Sequence, residues 1–221
     1  MRLPRNPALA LPGTTSRFED LQAAHQLQSY RVHNVGAFLP FHRALLSAHE
    51  TALRKECGYK GAQPYWAEEP DAGDFLGSTT YRDFGGDGDE GGCVNKGPFA
   101  NVTNHLGPGY GYTNHCINRA RDESFSTLSS QLYVDECLAK KTWLAHWNCT
   151  ENNPHLGGHG GVGGLVRLNF NNSIYSKGKQ RLMIRRWSIL YLHQETPYST
   201  CTTHGSTKYG QIGRKKTSQS A

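Results

Sequence analysis

The sequence predicts a mainly α-helical protein with long loops between its helices. Apolar residues recur at helical spacing in several segments, and no segment shows the regular alternation of a half-buried strand. Turns rich in glycine and proline crowd residues 58–118, which we expect to be mostly loop. At 221 residues the chain is long enough for one domain or a small pair, and it shows no internal repeat.

The first helix is expected over residues 16–30. Ser16 is suited to the N-cap position, because Glu19 follows three residues later as in a capping box. One face of this helix is therefore expected to point inward. The residues of that stripe are Phe18, Leu21, Ala24, His25 and Gln28.

Three further helices are expected along the chain. The second spans about 40–56, where Pro40 fits the first turn and Gly58 follows the end. A third is expected within about 124–147, and a fourth begins after Pro154. The apolar positions that define the second helix are Phe41, Leu45, Leu46, His49 and Leu53. Those that define the third are Leu128, Leu132, Val134, Leu138 and Trp143.

The net charge of +6 is unevenly distributed along the chain. Residues 1–164 contain 14 Lys and Arg against 17 Asp and Glu, whereas residues 165–221 contain 10 Lys and Arg and one acidic residue. A nucleic-acid-binding function would therefore depend on the last quarter of the chain alone. No apolar run approaches the ~18 residues of a membrane helix, and the first residues lack a clear signal-peptide pattern.

The six cysteines contain no Cys-x-x-Cys pair, which argues against a zinc ribbon or a thioredoxin-type site. N-glycosylation sequons begin at Asn101 and Asn148 and are compatible with secretion. The cysteine pattern leaves the redox compartment open, so we assign no localisation from the sequence.

Five of the eleven histidines form two candidate metal-binding groups. His25 lies on the inward stripe of the first helix and His42 near the start of the second. Two helices and the loop that carries His33 can bring three imidazoles to one point. His155 and His159 have the i, i+4 spacing that places both side chains on one face of a helix.

Four glycines lie between and after this second pair. They disfavour a helix by about 1 kcal/mol each, but they let another helix or a substrate approach the backbone closely. Ligation by imidazole alone suits copper, zinc or nickel, and the lack of a His-Glu-x-x-His motif argues against a metalloprotease. We expect ordinary core or surface roles for the histidines at His49, His105, His115 and His146.

Two histidine-containing runs carry a more specific pattern. One is His33-Asn-Val-Gly-Ala-Phe-Leu-Pro-Phe-His42-Arg43, and the other is Pro154-His155-Leu-Gly-Gly-His159-Gly-Gly-Val-Gly-Gly164. They resemble the first copper motif and the opening of the second copper motif of tyrosinases and catechol oxidases, particularly the short fungal ones. The resemblance covers about residues 11–164.

The resemblance implies a four-helix-bundle copper core with long loops. In that core the first copper would bind His25, His33 and His42, and the second would bind His155, His159 and one further histidine. The activity implied is oxidation of phenols or catechols to o-quinones by O2. The implied partners are a small phenol and O2, without nucleic acid or membrane.

Three other positions acquire expected roles from the same resemblance. Phe38 and Arg43 are expected to pack against the copper ligands or to support them. Leu156 follows His155 at a position where family members that hydroxylate monophenols often have Asn. The leucine therefore favours diphenol oxidation.

After Gly164 the expected segment with the last copper ligand, and with it the last core helix, is missing or garbled. His193 and His204 are candidate ligands by position only. Codons possible for residues 193–205, when read in an offset frame, permit a family-like Asp-Pro-Leu-Phe-Tyr-Leu-His-His-Thr-Trp run. We therefore expect that the chain from about residue 165 onward is translated out of frame.

The expected domain organisation follows from these observations. Residues 1–15 are an irregular segment, residues 16–164 a partial copper-binding domain, and residues 165–221 a basic tail that is out of frame or non-native. One alternative to the oxidase is a catalytically inactive remnant that binds at most one copper. A nucleic-acid binder that uses the basic tail is a further alternative.

Overall fold

The computed structural model describes residues 11–107 and 109–164, and this part of the chain is mainly helical, as predicted. Its α-helices are α1 (Arg17–Val32), α2 (Phe38–Cys57), α3 (Thr79–Asp83), α4 (Glu123–Ser126), α5 (Gln131–Leu138), α6 (Trp143–Asn152) and α7 (Pro154–Val162). Short 3-10 helices lie at Glu69–Asp71, Gly97–Phe99 and Thr127–Ser129. The out-of-frame segment expected from residue 165 onward, with His193 and His204, lies outside the described residues.

Helix α1 begins as predicted but buries a different face. The Ser16 side chain accepts a hydrogen bond from the backbone N–H of Glu19, which confirms the N-cap. Gln28 is exposed, so the predicted inward stripe is wrong at that position. The buried face is largely polar and includes Glu19, Gln22, His25, Gln26 and Ser29. Some of these groups are hydrogen-bonded inside the protein, as Gln26 is to the carbonyl of Gly109, whereas the buried amide of Gln22 has no hydrogen-bond partner among the described residues.

Helix α2 agrees with the prediction at both ends. It starts at Phe38, keeps Pro40 in its first turn and ends at Cys57. Gly58 follows in the left-handed conformation with φ of 64°, which glycine adopts without the steric cost of a Cβ. The face that carries Leu45, His49 and Leu53 is buried, as expected.

Residues 124–147 are largely helical, as predicted, but they do not form one helix, because the chain breaks there into α4, a 3-10 turn, α5 and α6. Ser130 is extended, with φ of −64° and ψ of 157°, and this interrupts the helix before α5. Thr142 then starts α6, where its side chain accepts from the N–H of Ala145. The disulfide Cys137–Cys149 joins α5 to α6.

Helix α7 forms where the fourth helix was predicted, and its glycines explain how. A Cβ at Gly157 would lie 2.5 Å from the backbone nitrogen of Ser129. A Cβ at Gly161 would lie 2.6 Å from Phe75, which belongs to an apolar cluster with Tyr81 and Val162. Close approach by neighbouring segments therefore stabilises a helix that glycine disfavours by itself.

The loop-rich middle of the chain contains little regular structure, as predicted. Two-residue strands β1 (Thr103–Asn104) and β2 (His115–Cys116) pair antiparallel, with Thr103 opposite Cys116. A second disulfide, Cys93–Cys116, fastens this hairpin to the preceding loop. Within the described part of the chain, no helix has both the length and the apolar character needed to span a membrane.

Candidate metal centre

The structure brings the first predicted histidine group together at the junction of α1 and α2. His25 lies in α1, His33 is the residue that directly follows α1, and His42 lies in the second turn of α2. One ring nitrogen from each lies within 4.8 Å of the others, and all three side chains are buried. The ring centroids are 5.0 to 5.2 Å apart.

Backbone carbonyls select the ring nitrogens that face the centre. Nδ1 of His33 lies 2.9 Å from the carbonyl oxygen of Ser29, and Nδ1 of His42 lies 2.7 Å from that of Phe38. Because a carbonyl only accepts, each Nδ1 must carry the proton. The Nε2 lone pair of each ring is then available to a metal ion, an arrangement typical of metal-ligating histidines.

The second predicted group lies directly beside the first. His155 and His159 project from the same side of α7, with their Nε2 atoms 2.9 Å apart. Nδ1 of His155 lies 3.1 Å from the carbonyl oxygen of Glu151, which repeats the pattern of the first group. The ring centroids of His33 and His42 are 6.1 and 5.9 Å from that of His155.

Burial favours the neutral form of four of these imidazoles. Desolvation lowers the pKa of His33, and it lowers the pKa of His42 to about 4 despite the opposing hydrogen bond to Phe38. The pKa values of His25 and His155 lie well below the ordinary value, first through desolvation and then through the neighbouring histidines. Neutral imidazoles are the form that ligates a metal.

The donor set fits a copper site. In the first group Nε2 of His25 lies 3.2 Å from Nε2 of His42, so these two nitrogens converge on one point together with His33. Imidazole nitrogens without carboxylates suit copper, zinc or nickel rather than magnesium or calcium. Among the described residues, this triad is the group that gathers three donors of this kind.

The three positions with expected supporting roles differ in their surroundings. The Phe38 ring is buried, and its centroid lies 4.4 Å from that of His42 and 4.8 Å from that of His155. Leu156 is half-buried next to the second pair. Arg43 is exposed, and within the described part of the chain no hydrogen bond or ion pair joins it to a site histidine.

The histidine motifs give no indication of Glu151, a buried carboxylate beside the site. Its two oxygens lie 2.8 and 3.0 Å from the backbone nitrogen of Asn34, the residue after His33. Burial raises the pKa of Glu151 to about 7, although the Asn34 N–H favours the charged form. The one signal in the sequence is that an acidic residue stands four positions before His155. This spacing indicates a role at the site only when it is known that α6 faces the loop after α1.

The other four histidines of the described residues bond to groups outside the site. His49 pairs with Gln63 at 2.8 Å and His105 with Glu19 at 2.6 Å. His115 and His146 bond to the backbone carbonyls of Thr113 and Cys137. These contacts agree with the ordinary roles expected for all four.

Together, the fold and the site define a mainly helical protein in which three helices bring imidazoles together in a group that could hold a metal ion. Residues 15–178 match the common central domain of tyrosinase. The chain belongs to the tyrosinase family.

Similarity to individual proteins supports the same assignment. The chain is 32% identical over 176 residues to tyrosinase-like protein phomQ1' of Diaporthe leptostromiformis. This match covers 67% of this chain and 46% of that protein. It is 30% identical over 179 residues to tyrosinase P of Aspergillus terreus, with 61% and 50% covered. The chain thus spans about half the length of these curated relatives.

Among solved structures, a variant of polyphenol oxidase from Thermothelomyces thermophila superimposes with a TM-score of 0.64 and is 30% identical in sequence. The match covers 73% of this chain and 55% of that one. The mainly helical, tyrosinase-like fold predicted from the sequence is therefore confirmed, and it is similar to that of this polyphenol oxidase.

Proposed function

We propose that this protein oxidises phenols, with a preference for catechols, to o-quinones at a pair of copper ions that use O2. The observation that carries the proposal is the position of the His155–His159 pair beside the triad, with the nearest rings about 6 Å apart between centroids. In the balanced reaction two catechols each lose two electrons and two protons, and one O2 becomes two water molecules. Copper supplies the one-electron redox chemistry that imidazoles and carboxylates lack.

The side chains of this protein hold and shape the site. Carbonyls of Ser29, Phe38 and Glu151 fix the tautomers of three histidines and aim their Nε2 atoms inward. The Phe38 ring lies against histidines of both groups. Such preorganisation would hold the imidazoles close to the geometry that a metal ion needs.

Leu156 is the position from which we propose the preference for catechols. An apolar side chain next to His155 offers no hydrogen bond to orient a water molecule or to accept the phenolic proton of a monophenol. We expect Leu156→Asn to raise the ratio of monophenol to diphenol turnover severalfold at unchanged copper content. Equal ratios in the two proteins would remove Leu156 from the explanation of specificity.

Copper analysis combined with oxygen uptake on a catechol tests the main proposal. We expect His42→Ala to lose copper from the triad and His159→Ala to lose the second ion, and either change should abolish turnover. His115→Ala is the matched control, because His115 also bonds a backbone carbonyl but lies outside the site. Full turnover in the His159 variant would contradict the two-copper proposal.

A catalytically inactive protein that binds one copper is the second candidate. It is favoured by the observation that, among the described residues, the triad supplies three converging donors and α7 supplies two. Two coppers per chain with catechol turnover would support the oxidase. One copper per chain without turnover would support the inactive candidate.

The origin of residues 165–221 bears on both candidates. We propose that this segment is read out of frame from about residue 165, since the offset codons of residues 193–205 permit a family-like run with two histidines. A variant carrying the offset reading should bind more copper and oxidise catechol faster than the present chain. Sequencing of the mature transcript is the direct test, and a message that keeps the present frame past codon 164 would refute it.

A further inference from the structure

Asn101 occupies a solvent-exposed turn immediately before β1. The turn is closed by the N–H of Val102, which donates to the carbonyl of Phe99 at 3.2 Å. Asn101 has φ of 59°, a left-handed conformation that asparagine tolerates better than most residues. Asn101 and Thr103 are both exposed, and their side chains form no hydrogen bond among the residues that the structure describes. Both recognition groups of this sequon are therefore presented to solvent.

The second sequon lies within a helix and is already engaged. Asn148 is in the middle of α6, whose residues are all helical from Trp143 to Asn152. The central residue of this sequon, Cys149, is buried and bonded to Cys137. The Thr150 hydroxyl donates to the carbonyl of His146 at 3.0 Å. An enzyme that must bind this threonine hydroxyl next to the asparagine amide would have to unwind α6.

We propose that Asn101 is a site of N-glycosylation and that Asn148 is not. In the reaction, the side-chain nitrogen of Asn101 forms a bond to the anomeric carbon of a lipid-diphosphate-linked oligosaccharide. The bond between that carbon and the diphosphate oxygen breaks, the lipid diphosphate leaves, and the amide loses one proton.

The two disulfides between described residues are consistent with passage through the secretory lumen, the compartment in which this reaction takes place. Cys93–Cys116 and Cys137–Cys149 persist in oxidising environments such as the secretory lumen. Cys116 also pairs through its backbone with Thr103, so the hairpin that follows Asn101 is fixed by a disulfide. The glycan would leave the surface at the rigid end of this hairpin.

The proposal can be tested on the full chain, secreted from a eukaryotic host behind an added leader peptide. Glycosidase treatment in heavy-oxygen water converts glycosylated asparagine to labelled aspartate, which peptide mass spectrometry locates. We expect the label at Asn101 and unmodified amide at Asn148. An unmodified Asn101 in the secreted protein, or a labelled Asn148, would overturn the proposal.

Variants separate glycan loss from misfolding. Asn101→Asp removes the acceptor but keeps a residue that tolerates the left-handed turn, and Thr103→Ala removes the sequon without changing that turn residue. Both should abolish the glycan-dependent shift in gel mobility, while Asn148→Gln should leave it unchanged. Thr103→Ser keeps a sequon, because serine can replace threonine in it, and this variant should therefore retain the glycan-dependent shift in gel mobility. A shift that persists in both Asn101→Asp and Thr103→Ala would contradict the assignment.

Discussion

The two histidine groups of the centre are similar in chemistry but different in construction. The triad is carried by α1 and α2, the longest helices described, whose ends are set by Ser16 and Gly58. The pair is carried by α7, which has nine residues and contains the four glycines at 157, 158, 160 and 161. Local sequence therefore favours the first framework, whereas contacts with other segments maintain the second.

This difference implies that the two groups fail under different perturbations. Helices of 16 and 20 residues with capped or closed ends contribute stability of their own, although packing still dominates. Helix α7 depends on α4, on the 3-10 turn Thr127–Ser129 and on α6. Perturbing those neighbours should weaken the pair while the triad is retained.

The largest difference is expected when the Cys137–Cys149 disulfide is replaced by two serines. The bond joins residues separated by 12 positions, and its loss should lower the free energy of unfolding by about 3 kcal/mol. Because α6 contacts α7 and provides the Glu151 carbonyl for His155, copper should be lost from the pair first. Chemical denaturation and copper titration measure the two effects.

The matched control for this change is the replacement of Cys93 and Cys116 by serines. That disulfide fastens a loop that carries no site histidine. A similar loss of stability is expected, without selective loss of one copper. If both double variants lost the two coppers equally, the proposed dependence of α7 on α6 would be wrong.

A smaller effect is expected for Gly157→Ala. Helix propensity alone predicts a gain of about 1 kcal/mol, because alanine is the better helix former. The new Cβ would lie 2.5 Å from the backbone nitrogen of Ser129 and 2.8 Å from the carbonyl carbon of Leu128. Backbone atoms cannot rotate away, so overpacking should outweigh propensity and leave a net loss of about 2 kcal/mol.

Thermal unfolding and copper affinity of the second site measure this loss. Gly91→Ala is the control, since its nearest contact would be the Asp89 carboxylate at an ordinary 3.4 Å. It should change stability little. A stabilised Gly157→Ala protein would show that α7 is limited by helix propensity rather than by close packing.

The same contrast explains which parts of the structure could be predicted from the sequence. The ends of α1 and α2 were predictable because Ser16 and Gly58 act within one turn of the backbone they terminate. The site histidines were recognisable because their spacing and flanking motifs are local. Helix α7 was predicted to begin after Pro154, even though its glycines oppose a helix by propensity.

The errors arise where long-range contacts decide. Apolar periodicity predicts that Gln28 points inward, yet the inner face of α1 is polar around His25 and Gln26. The prediction of a single helix within 124–147 does not include the breaks at Ser130 and Thr142. Glu151 could not be recognised because its partner Asn34 is 117 positions away in the chain. A buried polar site consists of polar residues, and a prediction based on the periodicity of apolar residues places such residues at the surface.

The smallest expected effect concerns the start of the triad framework and depends on pH. Burial tends to raise the pKa of Glu19, but hydrogen bonds from Thr15 and His105 outweigh it and hold the value below that of an ordinary glutamate. A carboxylate with a lowered pKa stabilises the folded state at neutral pH, and this stabilisation is lost as the pH falls through the folded-state pKa. Glu19→Gln should therefore lower the free energy of unfolding by about 1 kcal/mol at neutral pH and by progressively less in acid.

Glu50→Gln, which removes an exposed helical ion pair with Arg54, is the control and should lower the free energy of unfolding much less. Urea unfolding across the acid range measures both, and a cost for Glu19→Gln that does not diminish with acidity would show that its carboxylate charge does not stabilise α1.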